Sequence, residues 1–382
     1  MYINSLHLEK YKVLKNLEID FQIPKDNKNI VNVIAGINGS GKTSLLEYLM
    51  AILSCSFFYK NKHIEGNRIF NGEMVFNNQK IDKQNYINTI YEQIPKYKNE
   101  NRYEKGIHSS PRIIYIQSTM SFDYKEESSL ETTYQFSNII DSNKILGKAE
   151  LFIKNHIISN IMNSNEAKPN QEIKREIIDK FNSTFKDSEF VTKLVDLDIH
   201  NNNKPIFETI EGEKITIDEL SSGEQQLYAR VISLMILNPQ NSIILIDEPE
   251  IALHPKWQIE IMKIYSNIGR NNQFIVTTHS PFIISQTSYK NLIFLVKESE
   301  KIVAKNFIKP PNNRDINTII ETMGANYELK EVKELHSQYR ELVENDKIDT
   351  KEAENIKNRI LEFENENSKF FQSINFYLEF SK

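Results

Sequence analysis

The sequence predicts an α/β protein built on a mixed β-sheet that is flanked by helices. A strongly apolar segment at residues 30–35 leads into a glycine-rich loop and then into a helical pattern. Helical and strand patterns alternate between residues 221 and 286, which is typical of a parallel sheet covered on both faces. Two later strands, at 292–296 and 302–307, are expected to complete the sheet.

The composition indicates a soluble globular chain that is long enough for one large core with attached subdomains. No run of about 18 apolar residues occurs, so we expect no membrane segment. The charged, alternating N-terminus predicts a strand and not a secretory signal. A single cysteine, Cys55, excludes an internal disulfide and favours a cytoplasmic location. The net charge of −5 does not by itself favour nucleic-acid binding, although it does not exclude a local basic groove.

We expect a head at residues 1–310, followed by a helical C-terminal element at residues 311–382 that contacts a partner or a second copy. Within the head, residues 56–110 are poor in apolar side chains and rich in Asn, Lys and Tyr, so an insertion with weak structure is predicted. Such a mixture is also compatible with direct contact to DNA. Residues 135–200 are predicted to form a mainly helical subdomain.

The glycine-rich loop matches the phosphate-binding pattern G-x-x-x-x-G-K-[ST], and it stands between a strand and a helix as that pattern requires. Its glycines let backbone N–H groups turn inward around phosphate oxygens. Lys42 is expected between the β and γ phosphates of ATP, where it contributes to catalysis, and the Thr43 hydroxyl is expected to ligate Mg²⁺. The candidate nucleotide-binding residues of the loop are Asn38, Gly39, Ser40, Gly41, Lys42, Thr43 and Ser44.

A second motif ends the apolar run at residues 243–246 with two acids, Asp247 and Glu248. This pattern describes a buried strand that delivers carboxylates to the carboxyl edge of the sheet, where doubly wound folds bind ligands. Asp247 is expected in the Mg²⁺ shell. Glu248 is expected to accept a proton from the attacking water.

A predicted hairpin, which pairs residues 206–208 with 214–217, leads into the string Leu-Ser-Ser-Gly-Glu-Gln. This string resembles the LSGGQ motif of ABC-type ATPases. The resemblance implies a P-loop NTPase fold of the ABC-ATPase type and a head-to-tail dimer with two ATP molecules sandwiched between the subunits. It also implies that a helix N-terminus contacts ATP on the opposite subunit, as anions favour such positions. The candidate residues are Ser221, Ser222, Gly223 and Glu224.

Four further residues are interpreted from their positions relative to these motifs. His279 follows an apolar strand about 30 residues after Glu248 and matches the switch histidine of the same family. Gln117 ends the strand predicted at residues 112–116 and is a candidate magnesium ligand. Lys12 stands where relatives often place an arginine near the nucleotide, although a solvated lysine explains it as well. His254 replaces the aspartate of transporter ATPases, which favours a resemblance to cytosolic RecF-like and OLD-like ATPases.

The segment from Arg314 to Gly324, with the charged helical stretch after it, resembles the C-terminal part of PtuA-type ATPases from bacterial anti-phage systems such as Septu. Those ATPases act with an HNH nuclease, so the resemblance implies a PtuB-like partner. No acid cluster with the spacing of a Toprim nuclease follows Val296, and we therefore expect ATP hydrolysis without nuclease activity of the chain itself. The aromatic end, residues 370–380, is expected to dock on the head or on a partner.

Two alternatives stay open. One is a stand-alone ATPase of RecF type that binds DNA directly. The other is a scaffold that binds ATP to hold an assembly and hydrolyses it negligibly. In each case the assembly is expected to be a dimer or a higher even oligomer.

Overall fold

The architecture is taken from a computed structural model of the chain. It describes residues 1–54, 70–93, 111–118, 139–141, 149–162, 169–185, 192–299, 301–306, 316–323 and 329–380. Cys55 lies outside these ranges. Of the motif at 314–324, residues 316–323 are described, and residues 314, 315 and 324 lie outside.

The described residues form fourteen strands and eleven α-helices. The strands are β1 (Ile3–Tyr11), β2 (Leu14–Asp20), β3 (Ile30–Ala35), β4 (Gly72–Phe76), β5 (Gln79–Ile81), β6 (Ile113–Ile116), β7 (Ile139–Asp141), β8 (Lys193–Asp198), β9 (Lys204–Glu208), β10 (Lys214–Thr216), β11 (Ile243–Asp247), β12 (Gln273–Thr278), β13 (Leu292–Glu298) and β14 (Lys301–Asn306). The helices are α1 (Lys42–Ser54), α2 (Tyr86–Gln93), α3 (Ala149–Met162), α4 (Asn170–Ser183), α5 (Ser222–Leu237), α6 (Pro255–Ser266), α7 (Pro281–Gln286), α8 (Ile316–Thr322), α9 (Lys330–Glu344), α10 (Lys351–Leu361) and α11 (Lys369–Phe380).

The main sheet has the strand order β14-β13-β3-β12-β11-β6-β7. All neighbours pair in parallel except β13 and β14, which form an antiparallel edge. The central strands β11 and β12 are buried along their whole length, as expected of parallel strands covered on both faces. The predicted mixed sheet is thus confirmed, including the two late strands.

A second, antiparallel sheet has the order β2-β1-β4-β5. Strand β4 pairs with β1, and Phe70, Phe76 and Tyr86 are fully or almost fully buried in the core that this sheet shares with α1. The prediction of weak structure for the insertion is therefore wrong for residues 70–93, because spaced aromatic side chains give this segment enough apolar surface to join the core. The remainder of the insertion lies outside the described residues.

The region predicted as a helical subdomain contains helices α3 and α4, but its two ends are strands. Strand β7 joins the main sheet beside β6, and β8 opens a three-stranded antiparallel sheet with the order β10-β9-β8. The prediction of one mainly helical span is corrected at these ends. The predicted hairpin is confirmed, with Glu208 opposite Lys214.

The chain divides into two compact units, Met1–Ile319 and Ile320–Lys382. In the second unit, helices α9, α10 and α11 enclose a core of their own. The aromatic end forms α11, whose Phe371 and Ile374 are buried in that core, while Phe376 and Tyr377 remain exposed. Helix α11 joins this core because Phe371 and Ile374 give it an apolar face. Among the described residues, no helix has the length and apolar character needed to cross a membrane.

Candidate nucleotide-binding site

The candidate site lies at the carboxyl ends of four adjacent parallel strands. The register pairs Ile246 with Ile116, Asp247 with Thr277 and Thr278 with Ala35. The residues that follow or end these strands are therefore neighbours along one edge of the sheet. This is the edge where α/β folds bind ligands.

The glycine-rich loop connects β3 to α1 at this edge. Gly39 and Gly41 have φ angles of +80° and +87°, a left-handed backbone that glycine adopts without steric cost. These angles allow successive N–H groups to face one concavity. The hydroxyl of Ser40 is buried and has no hydrogen-bond partner among the described residues. The helix α1 begins at Lys42, so its N-terminus faces the same place.

Lys42 is almost completely buried, with 4% of its side chain exposed. Its ammonium group donates to the carbonyl oxygens of Gly36 at 2.9 Å and Ile37 at 3.2 Å. The same nitrogen lies 3.7 Å from Glu248 Oε1. A buried ammonium with these acceptors is held within the loop, where it can pair with an anion.

Thr43 and Asp247 meet across about 200 residues of sequence. The Thr43 hydroxyl donates to both carboxylate oxygens of Asp247, at 3.0 and 3.2 Å. Thr277 Oγ1 donates to Asp247 Oδ1 at 2.5 Å. Burial raises the pKa of Asp247, and the hydrogen bonds from Thr277 and Thr43 partly offset that effect. A hydroxyl and a buried carboxylate are oxygen ligands of the kind that Mg²⁺ prefers.

Glu248 follows β11 in a left-handed backbone conformation, with φ of +44°. Its N–H donates to the carbonyl of Thr277 at 3.0 Å, so the sheet register continues through this residue. A non-glycine residue held in this region of φ and ψ costs on the order of 1–3 kcal/mol and occurs preferentially at functional sites. This conformation directs the Glu248 carboxylate towards Lys42 and His279.

His279 follows β12, and its ring is 42% exposed. The ring atom Nδ1 lies 3.2 Å from Glu248 Oε1 and 3.3 Å from Glu250 Oε1. Glu250 Oε1 accepts hydrogen bonds from Thr278 Oγ1 and from the main-chain N–H groups of His279 and Ser280. The structure thus brings Lys42, Glu248 and His279 together.

The LSSGE string opens helix α5 through a capping box. Ser221 Oγ accepts from the N–H of Glu224 at 3.3 Å, and Glu224 Oε2 accepts from the N–H of Ser221 at 3.1 Å. The other carboxylate oxygen of Glu224 accepts from Thr192 Oγ1 at 2.8 Å. Both oxygens of Glu224 are therefore engaged within the chain, whereas Ser221 and Ser222 are exposed at the helix N-terminus.

Gly223 lies against the segment that follows Glu248. A Cβ atom at this position would stand 2.5 Å from the carbonyl oxygen of Ala252 and 3.2 Å from the Trp257 ring. Only glycine permits this close approach. Farther along α5, Arg230 is fully buried and donates to the carbonyl oxygens of Pro249 at 2.6 Å and Ser118 at 3.2 Å.

The remaining predicted residues have separate surroundings. Gln117 is half-buried directly after β6, beside Asp247 in the sheet register. Lys12 lies in the turn between β1 and β2, where it pairs with Glu47 of α1. His254 caps α6, because its Nδ1 accepts from the N–H of Lys256 at 3.2 Å.

Sequence reasoning missed Thr277, Glu250 and Arg230. The signal for Glu250 was present, since it is the third acid of an Asp-Glu-Pro-Glu string that directly follows a buried strand. Arg230 could have been found as a charged residue inside the apolar face of a helix. Thr277 carries no sequence signal of its own, because threonine is common in buried strands.

The residues present fit a magnesium–nucleotide complex. The backbone N–H groups of the loop, the unpartnered Ser40 hydroxyl and the Lys42 ammonium are candidate donors for phosphate oxygens. Thr43 and Asp247 supply oxygen ligands, and Mg²⁺ is usually held by one or two such side chains together with substrate phosphates and water.

The sequence is similar to several known proteins. A family model described as an AAA domain, putative AbiEii toxin, Type IV TA system matches residues 136–285. Septu protein PtuA of Bacillus mycoides (strain KBAB4) is 23% identical over 98% of this chain and 53% of its own length. Retron Vc95 probable ATPase of Vibrio cholerae is 31% identical over 38% of this chain and 31% of its own length. The chain thus spans about half the length of the first relative.

Among solved structures, the SMC head domain from Thermotoga maritima is similar with a TM-score of 0.41 and 12% sequence identity, over 81% of this chain and 100% of that chain. The expected resemblance to PtuA-type ATPases is confirmed by the sequence relatives. By its motifs and these relatives, the chain resembles ABC-type ATPases of the AAA group, and its sequence is similar to Septu protein PtuA.

Proposed function

We propose that the chain binds ATP with Mg²⁺ and hydrolyses it to ADP and phosphate. The observation that carries this proposal is the hydrogen bond between Thr43 Oγ1 and Asp247 Oδ2, at 3.0 Å, at the point where Lys42 and Glu248 also meet. A phosphate-binding loop and an acidic strand end must come together in this way for a metal to bridge phosphate and protein.

Each residue has a role that follows from its surroundings. Lys42 and the loop N–H groups bind the phosphates, and Thr43 and Asp247 hold Mg²⁺, with Gln117 as a further ligand. Bound Mg²⁺ would neutralise charge that develops on the phosphate oxygens. Glu248 accepts a proton from the attacking water, and His279 contacts the γ phosphate from the same side.

We propose further that the active form is a head-to-tail dimer, or a multiple of it. The support is the N-terminus of α5, where Ser221 and Ser222 are exposed and the helix dipole favours an anion. Each ATP would then lie between the phosphate loop of one subunit and the Ser221–Gly223 segment of the other.

The biological setting that we propose is bacterial defence against phage, in the cytoplasm, with control of a separate HNH-type nuclease. The support is the similarity to Septu protein PtuA along almost the whole chain, together with the similarity to retron-encoded probable ATPases. In this proposal the chain has no nuclease activity of its own.

ATP turnover tests the enzymatic proposal. The variant Glu248→Gln is expected to bind a fluorescent ATP analogue with unchanged affinity and to lose about 10²–10⁴-fold in turnover. The surface acid Glu298, changed in the same way, serves as the matched control and should retain full turnover. Wild-type binding without turnover would favour the scaffold alternative. Failure of the wild type to bind ATP would overturn the proposal.

Mixing two inactive variants tests the dimer. Lys42→Ala disables the phosphate loop, and Ser221→Arg blocks the helix N-terminus. In a head-to-tail dimer of one subunit of each kind, one composite site keeps both intact halves, so the mixture should recover activity that neither variant has alone. If each subunit works with its own residues only, mixing restores nothing.

Co-purification with the neighbouring gene product, with and without ATP, tests the partner. A stable complex with a nuclease, sized by light scattering as a dimer or a multiple of it, supports the proposal. A chain that purifies alone and dimerises with ATP only when DNA is added favours the RecF-like alternative.

A further inference from the structure

Glu250 is a buried carboxylate that the proposed roles above do not use. Only 4% of it is exposed. Its Oε1 atom accepts from Thr278 Oγ1 at 2.7 Å, from the N–H of His279 at 2.7 Å and from the N–H of Ser280 at 3.2 Å. These donors come from the segment that turns out of β12, so Glu250 fixes the backbone on both sides of the histidine.

The same oxygen also faces the histidine ring. Its distance to His279 Nδ1 is 3.3 Å, and Glu248 Oε1 lies 3.2 Å from the same nitrogen. An ionised carboxylate can only accept hydrogen bonds, so a hydrogen bond formed across this distance would need a proton on Nδ1. Nε2 then stands on the far side of the ring, away from both carboxylates.

A second observation shows that the position is not merely a loop cap. The other oxygen of Glu250, Oε2, is buried and has no hydrogen-bond partner among the described residues. An uncharged amide at this position could accept the same three hydrogen bonds through one oxygen without the cost of burying a charge. The negative charge is therefore a feature that the backbone contacts alone do not explain. Two groups near this carboxylate respond to its charge. One is the buried guanidinium of Arg230, and the other is the ring of His279, which the charge can orient.

We propose that Glu250 is a positioning residue for His279. Its carboxylate holds the ring through Nδ1–H and the main chain of His279, so that Nε2 is presented to the nucleotide. This inference rests on the proposed ATPase function, because a fixed Nε2 has a use only where a phosphate lies in front of it. A carboxylate that fixes the tautomer and orientation of a working histidine is a recurring arrangement.

The test reads the tautomer directly, on the full chain labelled with ¹⁵N-histidine, by long-range ¹H–¹⁵N correlation at a pH where the rings are neutral. A His279→Asn sample assigns the signal. Because Glu248 also faces Nδ1, the comparison is made in a Glu248→Gln background. There Glu250 remains the one carboxylate at this nitrogen among the described residues, and the Nδ1–H form should persist.

Adding Glu250→Gln to that background should shift the ring towards the Nε2–H form, which free histidine favours in water. Adding Glu298→Gln instead should change nothing. In an otherwise native chain, Glu250→Gln should lower kcat by about 10- to 100-fold while KM and ATP binding hold. Glu250→Asp, which keeps the charge, should recover part of that loss.

Three results separate the possibilities. An Nε2–H ring in the wild-type protein overturns the proposal, whatever the variants do. Retention of the Nδ1–H form in the Glu248→Gln, Glu250→Gln double variant also overturns it and leaves Glu250 as a backbone cap. If the tautomer responds as expected but the wild type does not hydrolyse ATP, the positioning holds and the proposed function fails.

Discussion

Arg230 donates a hydrogen bond of 2.6 Å to the carbonyl oxygen of Pro249, the residue that follows Glu248. The same guanidinium reaches the carbonyl oxygen of Ser118, next to Gln117. A single buried side chain of α5 therefore ties the helix that begins at the LSSGE string to two segments of the candidate site. Burial lowers the pKa of Arg230, while Tyr265 and Glu250 act in the opposite direction.

Replacing Arg230 by methionine should destabilise the head substantially. The change removes the donors for two carbonyl groups that have little access to water, and it leaves Glu250 without its neighbouring positive charge. We expect a loss of about 2–5 kcal/mol in the free energy of unfolding. Thermal and denaturant unfolding of the variant measure this loss.

The exposed Arg175, changed to methionine, is the control and should alter stability by less than about 0.5 kcal/mol. Arg230→Lys keeps the charge but cannot span both carbonyl groups. Its loss of stability should therefore lie between those of Arg175→Met and Arg230→Met. An unfolding midpoint for Arg230→Met equal to that of the wild type would show that the two carbonyl groups find other partners.

Replacing Asp247 by asparagine should stabilise the protein at neutral pH when no nucleotide or magnesium is added. Burial raises the pKa of Asp247, so the folded chain binds the proton more tightly than the unfolded chain does. The stability linked to this group is thus fully present below the ordinary aspartate pKa and is lost as the pH rises through the folded-state value. Asparagine avoids the buried charge, and a gain on the order of 1 kcal/mol is expected.

Two features of the measurement identify the cause. The gain should vanish as the pH falls below the ordinary aspartate pKa, because the wild-type carboxyl is then protonated as well. With saturating Mg²⁺ and ATP the wild type should become more stable than Asp247→Asn, since ligand binding raises the melting temperature of the wild type. A gain that does not change with pH would point to packing instead of charge.

Replacing Gly223 by alanine should disturb both the LSSGE helix and the segment after Glu248. The new methyl group would stand 2.5 Å from the carbonyl oxygen of Ala252, which cannot rotate away as a side chain could. We expect a destabilisation of about 1–3 kcal/mol, together with reduced turnover. Ser222→Ala, at an exposed neighbouring position, should leave stability almost unchanged. Thermal melts of both variants decide the comparison.

Replacing Ile360 by alanine should open the C-terminal unit while the main sheet stays protected. Ile360 is fully buried in the core formed by α9, α10 and α11, and its truncation should cost about 2–5 kcal/mol. Hydrogen exchange should therefore accelerate in these helices and stay slow in β11 and β12. Phe363→Ala, at a half-exposed site, is the control. Equal acceleration in both units would show that they unfold together.

The main sheet was predictable because the local sequence of its strands has a recognisable pattern. Ile30–Ala35 and Ile243–Asp247 are apolar runs with a glycine-rich loop or two acids at their ends, and the structure has strands at those residues. The same motifs predicted Lys42, Thr43 and Asp247 as site residues. In the structure Thr43 donates a hydrogen bond to Asp247, and Lys42 lies within ion-pairing distance of Glu248.

The rest depended on contacts between distant segments. Met74 and Phe76 lie in a polar stretch, and their burial follows from the pairing of β4 with β1, which no local pattern encodes. The role of Glu250 depends on donors some 30 residues away, at Thr278 and His279. Thr192 binds Glu224 in the same non-local manner.

The left-handed backbone of Glu248 has a consequence for how the protein can be improved by mutation. Glycine at that position would release the backbone strain. We therefore expect Glu248→Gly to raise the free energy of unfolding while it removes the proposed proton acceptor. Screens that select for heat resistance alone should therefore drift towards an inert chain at this residue. Variants that are both stable and active must gain their stability at other positions, because the strained backbone at Glu248 orients its carboxylate.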